Sequence, residues 1–322
     1  MNRVDIIKRF AELNKDRKII ICGHERPDAD STSSQFALQF LLRKLGMSQV
    51  YCVRQTSYQK NLLPLLCDVS TIKINEIPAD ALLVCVDCAS FKRISKDIQA
   101  MFSEVSLQID HHASNENYGK INIVDVYASS TAQYIAELFQ ALNILPDLSI
   151  ANLLYAGLIS DSRSFSLPTT TTKTFEVAKW LIDCAVKPNE IYNVVFNCES
   201  IGKINLQKVV FNNMEFFCDG RICISYILQK DMQDASAENP DKSGLVEKLI
   251  AIDGVEIVAI INESIDKLKV NLRSLSMDIK VNEIAEFYGG GGHYEAAACD
   301  VKNKTIAELK LELVQQFKAR LK

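Results

Sequence analysis

Three short apolar segments of this chain each end in an ionisable residue. They are residues 18–24, 81–87 and 105–110, which end at His24, Asp87 and Asp110. Apolar runs of this length are typical of strands that helices bury on both faces, as in parallel sheets. Ligands bind to such sheets outside the carboxyl ends of the strands. The three segments therefore predict a mainly parallel sheet with a polar site at one edge.

Helical patterns alternate with these strands and predict an α/β chain of two domains. In the first part of the chain we expect a further strand at 49–53 and helices at 31–45, 130–142, 149–160 and 171–186. The pattern then restarts, with strands expected at 221–227, 255–262 and 267–274 and helices at 242–252, 280–287 and 303–321. The prediction is an N-terminal, mainly parallel sheet with helices on both faces over 1–195, a linker over 196–215, and a smaller C-terminal α/β domain over 216–322.

The charge of the chain argues against a partner such as long DNA or RNA. Its 322 residues include 36 Lys and Arg against 40 Asp and Glu, a net charge of −4. A protein that follows a long nucleic acid normally carries a basic stripe, because neutralising phosphates drives that binding. This chain has no Lys/Arg-rich run. A nucleic-acid substrate is therefore expected to be short and bound locally.

Membrane-spanning and secreted proteins are two classes that do not fit the sequence. No segment approaches the roughly 18 uncharged apolar residues of a membrane span. The first residues carry charges throughout and lack the apolar run of a secretory signal. We therefore expect a cytoplasmic protein without membrane contact. Its ten cysteines are expected to be reduced and mostly buried, and the CxxC pair Cys85 and Cys88 lacks the second pair that a zinc site needs.

Histidines and aspartates near the strand ends form a candidate metal site. The four histidines all lie in polar, strand-end or glycine-flanked contexts, at His24, His111, His112 and His293. Carboxylates accompany the first three, at Asp28, Asp30, Asp87, Asp110 and Asp161. Imidazole and carboxylate ligands together suit Mn²⁺, Fe²⁺ or Zn²⁺. The segment 24–30 alone is equally compatible with a solvated polar turn, but the whole set is enough for two metal ions that share a bridging carboxylate.

Two such ions can clamp a phosphoryl group and activate water, which predicts phosphoester hydrolysis. His111 and His112 are adjacent, and neighbouring side chains of an extended segment point to opposite sides. We therefore expect one of them to bind metal and the other to face the substrate. Each aspartate at the end of an apolar strand also needs a partner, since an unpaired buried charge is costly.

Four consecutive glycines, Gly289 to Gly292, form a candidate anion site in the second domain. Glycines allow close backbone approach to a ligand and present N–H groups to an anion. Arg273, at the end of a predicted strand, can hold a phosphate through two parallel hydrogen bonds, and His293 can add another. The alternative is a flexible linker, which the adjacent histidine and the small residues Ala296–Ala298 disfavour.

The ordered combination of HxxxDxD, a strand-end Asp, Asp-His-His, a later Asp and GGGGH resembles the DHH phosphoesterase superfamily with its DHH-associated C-terminal domain. The resemblance covers nearly the whole chain. The RPDxD and GGGGH versions are similar to those of the nano-RNase subgroup, bacterial oligoribonucleases that also dephosphorylate 3′-phosphoadenosine 5′-phosphate (pAp). One departure is Ser162-Arg163-Ser164 in place of the common Thr-Gly run, so that Arg163 adds a cation near the site.

The resemblance implies a role for each matching residue. Two Mn²⁺ ions, with Mg²⁺, Fe²⁺ or Co²⁺ as alternatives, would be bound by His24, Asp28, Asp30, Asp87, His111 and Asp161, with Asp87 bridging. His112 would contact the scissile phosphate and Asp110 would orient the histidine pair, so that the catalytic residues are His112, Asp110 and Asp87. The substrate-binding residues would be Arg163, Arg273, Ser274, Gly289, Gly290, Gly291, Gly292 and His293.

The activity that the resemblance implies is hydrolysis of short 5′-phosphorylated oligoribonucleotides, about two to five nucleotides long, to mononucleotides, and of pAp to AMP. Cleavage of a cyclic or linear dinucleotide messenger, or of polyphosphate, uses the same chemistry and stays open. A non-catalytic nucleotide sensor is disfavoured because every expected ligand position is filled. A manganese pyrophosphatase, which lacks GGGGH, and a RecJ-like exonuclease, which carries additional DNA-binding domains, fit less well. A homodimer is compatible with the resemblance.

Overall fold

The computed structural model describes residues 2–66, 70–276 and 278–321. It divides the chain into two compact units, Met1–Cys198 and Glu199–Lys322. Each unit contains a sheet with apolar cores on its two faces.

The N-terminal unit is built from strands that alternate with helices. Its strands are β1 (Ile19–Cys22), β2 (Val50–Arg54), β3 (Thr71–Lys73), β4 (Leu82–Val86), β5 (Val105–Asp110) and β6 (Gly119–Val124). Its helices are α1 (Arg3–Leu13), α2 (Ala29–Lys44), α3 (Lys96–Met101), α4 (Thr131–Ala141), α5 (Leu148–Asp161), α6 (Thr172–Asp183) and α7 (Pro188–Phe196).

These strands form a parallel sheet in the order β3-β2-β1-β4-β5-β6. From β1 the chain builds outward through β2 and β3, and then returns to add β4 on the other side of β1. The loops that follow β1 and β4 therefore diverge at the carboxyl edge, which is the usual ligand site of sheets with this strand order. His24 and Asp87 lie in these two loops.

Helices cover both faces of the parallel sheet. In β1, Ile19 and Ile21 belong to a core shared with α2, α4 and α5, whereas Ile20 and Cys22 belong to a smaller core shared with α3. All four side chains are buried, which explains why the sequence of this strand is apolar throughout rather than alternating. The predicted fold class of this unit is confirmed.

The C-terminal unit is a mixed sheet between helices. Its strands are β7 (Glu215–Phe217), β8 (Ile222–Ile227), β9 (Ile257–Glu263), β10 (Leu268–Ser274), β11 (Gly291–His293) and β12 (Ala296–Val301), in the sheet order β11-β12-β10-β9-β8-β7. Its helices are α8 (Ile201–Asn212), α9 (Gln229–Asp234), α10 (Leu245–Ile250), α11 (Val281–Phe287) and α12 (Ile306–Lys318). Strands β8 and β9 are parallel, and the other neighbouring strands are antiparallel.

The segment 196–215, expected to link the domains, contains the whole of this unit's first helix, α8. Leu206 and Val210 of α8 are buried in one of the two cores of the C-terminal unit. The strands that the sequence pattern did not predict are β3, β6, β7, β11 and β12. All except β12 lie at a sheet edge, where a strand has one neighbour and needs fewer apolar residues to be stable.

Two further expectations concern the membrane and the cysteines. Among the helices of the described ranges, none combines the length and the apolar character that crossing a bilayer requires. The nine cysteines that the structure describes are free thiols, and Cys67 lies outside the described residues. Cys85 and Cys88 are both buried, and the Sγ atom of Cys85 lies 3.5 Å from that of Cys22 on the neighbouring strand.

Gly157 of α5 faces the start of α2, where the two helices pack closely. A Cβ atom at this position would lie 2.7 Å from the Cβ of Ala132 and 3.0 Å from Oδ1 of Asp30. Replacing glycine by alanine normally stabilises a compatible site by about 0.4–1 kcal/mol. We expect Gly157→Ala to lower the free energy of unfolding by about 1–3 kcal/mol instead, because these neighbours must be displaced. Urea unfolding measures the change, and an equally stable or more stable variant would contradict this packing.

Candidate active site

The carboxyl edge of the parallel sheet gathers the predicted metal ligands of the N-terminal unit. His24, Asp87 and His111 lie in the loops after β1, β4 and β5. Asp28 caps α2, Asp30 lies in its first turn, and Asp161 is the last residue of α5. In the described part of the chain, the ligand atoms of these six residues fall into overlapping groups whose members lie within 4.8 Å of one another. The grouping follows from the sheet order, because β1, β4 and β5 are neighbours.

The first ligand group consists of His24, Asp28 and Asp87. The Nε2 atom of His24 lies 3.7 Å from Oδ2 of Asp28 and 4.0 Å from Oδ2 of Asp87. Asp28 is also the N-cap of α2, where its Oδ1 accepts a hydrogen bond from the backbone N–H of Ser31 at 2.9 Å. The cap fixes one oxygen of this carboxylate and leaves the other beside His24.

The second ligand group consists of Asp30, His111 and Asp161. The Nε2 atom of His111 lies 3.2 Å from Oδ2 of Asp161 and 4.0 Å from Oδ2 of Asp30. It also lies 3.7 Å from Oδ1 of Asp87. The two oxygens of Asp87 therefore face different ligand groups, which is the arrangement of a carboxylate that bridges two metal ions.

The burial and charge of these groups fit a pair of cations. Burial, with the charges of neighbouring carboxylates, raises the pKa of Asp30 well above its usual value and that of Asp87 to about 6. Burial lowers the pKa of His111, but the negative charges of Asp161 and Asp87 have a larger effect and raise it to about 9. The Nε2 atom of His111 is buried, and its approach to Asp161 lacks the alignment of a hydrogen bond, so it has no such partner among the residues described. The negative charge around His111 that stabilises a proton on its ring would also stabilise a metal ion at the same position.

The N-terminus of α4 holds two of the carboxylates. The backbone N–H groups of Thr131 and Ala132 each donate to one oxygen of Asp30 at 2.8 Å. The hydroxyl of Thr131 donates to Oδ1 of Asp87 at 2.9 Å. Asp87 itself has a left-handed backbone with φ of 50°, a conformation that is strained for a residue with a side chain and occurs at functional sites. Thr131 therefore supports a carboxylate of each ligand group.

The remaining members of the Asp-His-His segment form a hydrogen-bonded pair. The Nδ1 atom of His112 lies 2.8 Å from Oδ1 of Asp110 and 3.8 Å from Oδ1 of Asp87. The contact with Asp110 occupies Nδ1 and leaves Nε2 for another partner. This hydrogen bond raises the pKa of His112. Burial opposes the charge of Asp110, but hydrogen bonds from His112 and Asn115 lower the pKa of Asp110 overall.

Sequence reasoning missed several groups that orient these side chains. Asn115 donates from Nδ2 to Oδ2 of Asp110, and Nδ1 of His111 lies 3.3 Å from the carbonyl oxygen of Ala128. Partners of this kind fix the orientation of a metal ligand or a catalytic group. The Asn115 contact depends on the turn after β5, and the Ala128 contact depends on the packing of the loop before α4. No sequence motif marks either of them.

A cavity of about 390 Å³ lies in the C-terminal unit. Its charged and polar lining includes Lys242, Glu247, Asn271 and Arg273. Asn271 and Arg273 share one face of β10. The side chains that alternate with them, Val270 and Leu272, are buried in the core on the other face. The floor is made of small residues of β11 and β12. A cavity of this size suits one small ligand, and of the predicted substrate-binding residues it contains Arg273 and Gly291.

The other predicted substrate-binding residues lie outside that cavity. Ser274 follows Arg273 on β10 and is buried, with its hydroxyl donating to the carbonyl oxygen of Ser276 at 3.2 Å. His293 is exposed at the end of β11. Arg163 is exposed in the N-terminal unit, two residues after Asp161.

Two glycines of the GGGG segment face the backbone of β12. A Cβ atom on Gly290 would lie 2.2 Å from the carbonyl oxygen of Ala298, and one on Gly292 would lie 2.4 Å from that of Ala296. These two glycines allow β12 to approach closely, whereas Gly291 faces open space and lines the cavity. Gly289 has φ of 75° in the turn that ends α11, a conformation that favours glycine.

Comparisons with known proteins match both units of the chain. Residues 18–158 match the DHH family, N-terminal domain, and residues 219–322 match the DHHA1 domain. The probable bifunctional oligoribonuclease and PAP phosphatase of Streptococcus mutans is 31% identical over 97% of this chain and 98% of that protein. The bifunctional oligoribonuclease and PAP phosphatase of Bacillus subtilis is 29% identical over 88% of this chain and 89% of that protein.

A solved structure shares the fold of the chain. It is the crystal structure of an exopolyphosphatase-related protein from Bacteroides fragilis, with a TM-score of 0.84 over 98% of this chain and 96% of that chain. The two sequences are 21% identical, so this likeness concerns the fold alone.

Replacement of Thr131 tests whether the hydroxyl group at the start of α4 prepares the ligand groups. Thr131→Val keeps the shape and the backbone N–H but removes the donor to Asp87. We expect Mn²⁺ affinity to fall about 10–100-fold, the usual effect of losing a partner that orients a ligand. Thr131→Ser retains a hydroxyl and serves as the matched control, with affinity close to that of the parent. Isothermal titration calorimetry measures both, and equal affinities for the two variants would contradict the role of the hydroxyl.

Proposed function

This chain belongs to the DHH family of phosphoesterases, and from that premise we propose that it hydrolyses short 5′-phosphorylated oligoribonucleotides, about two to five nucleotides long, to mononucleotides, and pAp to AMP. One observation carries the proposal: the two oxygens of Asp87 face separate groups of histidine and carboxylate ligands. The near end-to-end match to a protein named as an oligoribonuclease and PAP phosphatase supports the substrate class.

The two ligand groups would each hold one metal ion. His24 and Asp28 would bind the first, Asp30, His111 and Asp161 would bind the second, and Asp87 would bridge them. We propose Mn²⁺ at both positions, with Mg²⁺, Fe²⁺ or Co²⁺ as alternatives, because the set mixes imidazole with carboxylate. Bound there, such ions supply positive charge for a phosphoryl group and lower the pKa of water.

His112 would donate a hydrogen bond from Nε2 to an oxygen of the scissile phosphate. Its Nδ1 contact with Asp110 at 2.8 Å fixes the direction of the ring, and Asn115 holds Asp110 in turn. The residue that meets the phosphate is therefore oriented before the substrate binds. A donor prepared in this way stabilises negative charge that develops in the transition state.

Arg273 and Lys242 would bind a phosphate group of a nucleotide in the C-terminal cavity. A guanidinium offers parallel N–H donors that match phosphate oxygens, and a lysine adds a compact positive charge. Burial, with the nearby charge of Lys269, lowers the pKa of Lys242, so an anion beside it is favourable. A cavity of about 390 Å³ has room for one nucleotide rather than a long strand. The sequence also has no Lys/Arg-rich run that would favour binding of a long strand.

A substrate panel tests the proposal. Purified protein is incubated with Mn²⁺ and 5′-phosphorylated RNAs of two, three, five and twenty nucleotides, pAp, or a cyclic dinucleotide, with a chelator in the control. We expect fast loss of the RNAs of two to five nucleotides and of pAp, slow loss of the longest RNA, and no loss with the chelator. Turnover of the cyclic dinucleotide alone would contradict the substrate class, and metal binding without any turnover would indicate a sensor.

Replacement of the bridging carboxylate tests the chemistry directly. Asp87→Ala removes an oxygen from each ligand group, and we expect turnover of the dinucleotide to fall by about a thousandfold or more. Asp183→Ala is the matched control, since Asp183 is exposed on α6 and pairs only with Lys179 among the described residues. The control should retain the activity of the parent. Retained activity in Asp87→Ala would be incompatible with the proposed site.

A further inference from the structure

Glu247 is an acidic residue in a cavity that we assign to a phosphate-bearing ligand. Its Oε1 atom accepts hydrogen bonds from Nη2 of Arg273 at 2.7 Å and from Nε of Arg273 at 3.2 Å. A carboxylate at this position reduces the positive potential that attracts a phosphate. Phosphate binding alone therefore does not account for it.

The contacts of Arg273 show which part of its guanidinium stays accessible. The side chain has five N–H donors. Glu247 accepts from Nε and from one N–H of Nη2, and the carbonyl oxygen of Leu272 lies 3.4 Å from Nη1. One N–H on each terminal nitrogen remains for a ligand. Glu247 thus holds the guanidinium from the side and leaves the outer pair of donors in the geometry that binds a phosphate through two bonds.

The second oxygen of Glu247 is available to a ligand in the cavity. Both hydrogen bonds from Arg273 end on Oε1, and Oε2 accepts none within the ranges that the structure describes. The glutamate side chain is 30% exposed, and small residues such as Gly244 and Gly291 surround the open space. An ionised carboxylate only accepts hydrogen bonds, so the ligand group that fits here is a donor.

The position of that oxygen limits which donor of a nucleotide can reach it. Glu247 and a phosphate bound by Arg273 would both contact the same guanidinium, so they would be close neighbours. Ribose hydroxyls are the donors nearest to a nucleotide's phosphate, whereas the donors of the base lie beyond the sugar. Pairing of a carboxylate with the ribose 2′-hydroxyl recurs in nucleotide sites. The 2′-hydroxyl is also the group by which proteins distinguish RNA from DNA.

Building on the proposed function, we propose that Glu247 accepts a hydrogen bond from the 2′-hydroxyl of the nucleotide in the C-terminal cavity, and that it selects ribonucleotides over deoxyribonucleotides. It is a specificity-determining residue that also positions Arg273. Loss of the positioning affects both kinds of sugar equally, whereas loss of the hydroxyl contact affects ribonucleotides alone. The ratio of the two rates therefore isolates the second effect.

The experiment compares kcat/KM for a 5′-phosphorylated diribonucleotide with that for its 2′-deoxy analogue. The parent should prefer the ribose form by about 10–100-fold, as expected for a hydrogen bond to a charged group. In Glu247→Ala the preference should fall to nearly one. Glu256→Ala is the matched control, because Glu256 forms a similar ion pair with Arg221, at 2.6 Å, in the same unit but is not part of the cavity lining. It should keep the parental preference.

Several outcomes would overturn the inference while leaving the proposed function standing. A parent without a sugar preference, or a Glu247→Ala variant that keeps the full preference, would exclude contact with the 2′-hydroxyl. If the parent cleaves neither dinucleotide, the proposed function fails, and calorimetric binding of AMP, 2′-deoxy-AMP and 3′-deoxy-AMP then decides the inference. Weaker binding of 2′-deoxy-AMP, abolished in Glu247→Ala, supports it, whereas a loss confined to 3′-deoxy-AMP contradicts it.

Discussion

The contact of one carboxylate with two sets of ligands is the interaction on which the site depends. The Oδ2 atom of Asp87 lies 4.0 Å from His24, and its Oδ1 atom lies 3.7 Å from His111. His24 follows β1 and His111 follows β5, and Asp87 follows β4, the strand that lies between these two in the sheet. Burial of the ionised Asp87 carboxylate beside other carboxylates is unfavourable unless a positive charge lies close to it. A left-handed backbone at Asp87 and a hydrogen bond from Thr131 keep the side chain there, which is the condition that a shared pair of cations requires.

The two units would have different roles in the proposed function. In the N-terminal unit, the strand order β3-β2-β1-β4-β5-β6 brings the ends of β1, β4 and β5 together, and the starts of α2 and α4 add a carboxylate cap and backbone N–H donors. In the C-terminal unit, a mixed sheet presents alternate side chains of β10 to a cavity that α10 also lines. In the proposed function the first unit would provide ligands for cations, and the second would provide Arg273 and Lys242 for an anion.

The sequence was sufficient to predict the fold class, because buried parallel strands are apolar throughout and a change to a polar residue marks the ends of β1, β4 and β5. The set of six metal ligands rested on the resemblance of the whole motif pattern to the family, since Asp28, Asp30 and Asp161 belong to helices. It was insufficient wherever function depends on packing between distant segments. Thr131 and Glu247 carry no motif, since their partners Asp87 and Arg273 lie 44 and 26 residues away along the chain. Asn115 carries none either, because its contact with Asp110 depends on how the segment after β5 turns. The packing role of two glycines was not predictable for a related reason. Gly290 and Gly292 face the backbone of β12, and a sequence does not show which neighbour a missing Cβ makes room for.

The most direct test of the bridging role of Asp87 is anomalous diffraction from crystals grown with Mn²⁺. We expect two peaks about 3.5–4 Å apart, one beside His24 and Asp28, the other beside Asp30, His111 and Asp161, with the carboxylate of Asp87 in contact with both. A single peak, or two peaks of which only one touches Asp87, would contradict the bridging role of this residue and the two-metal site built on it.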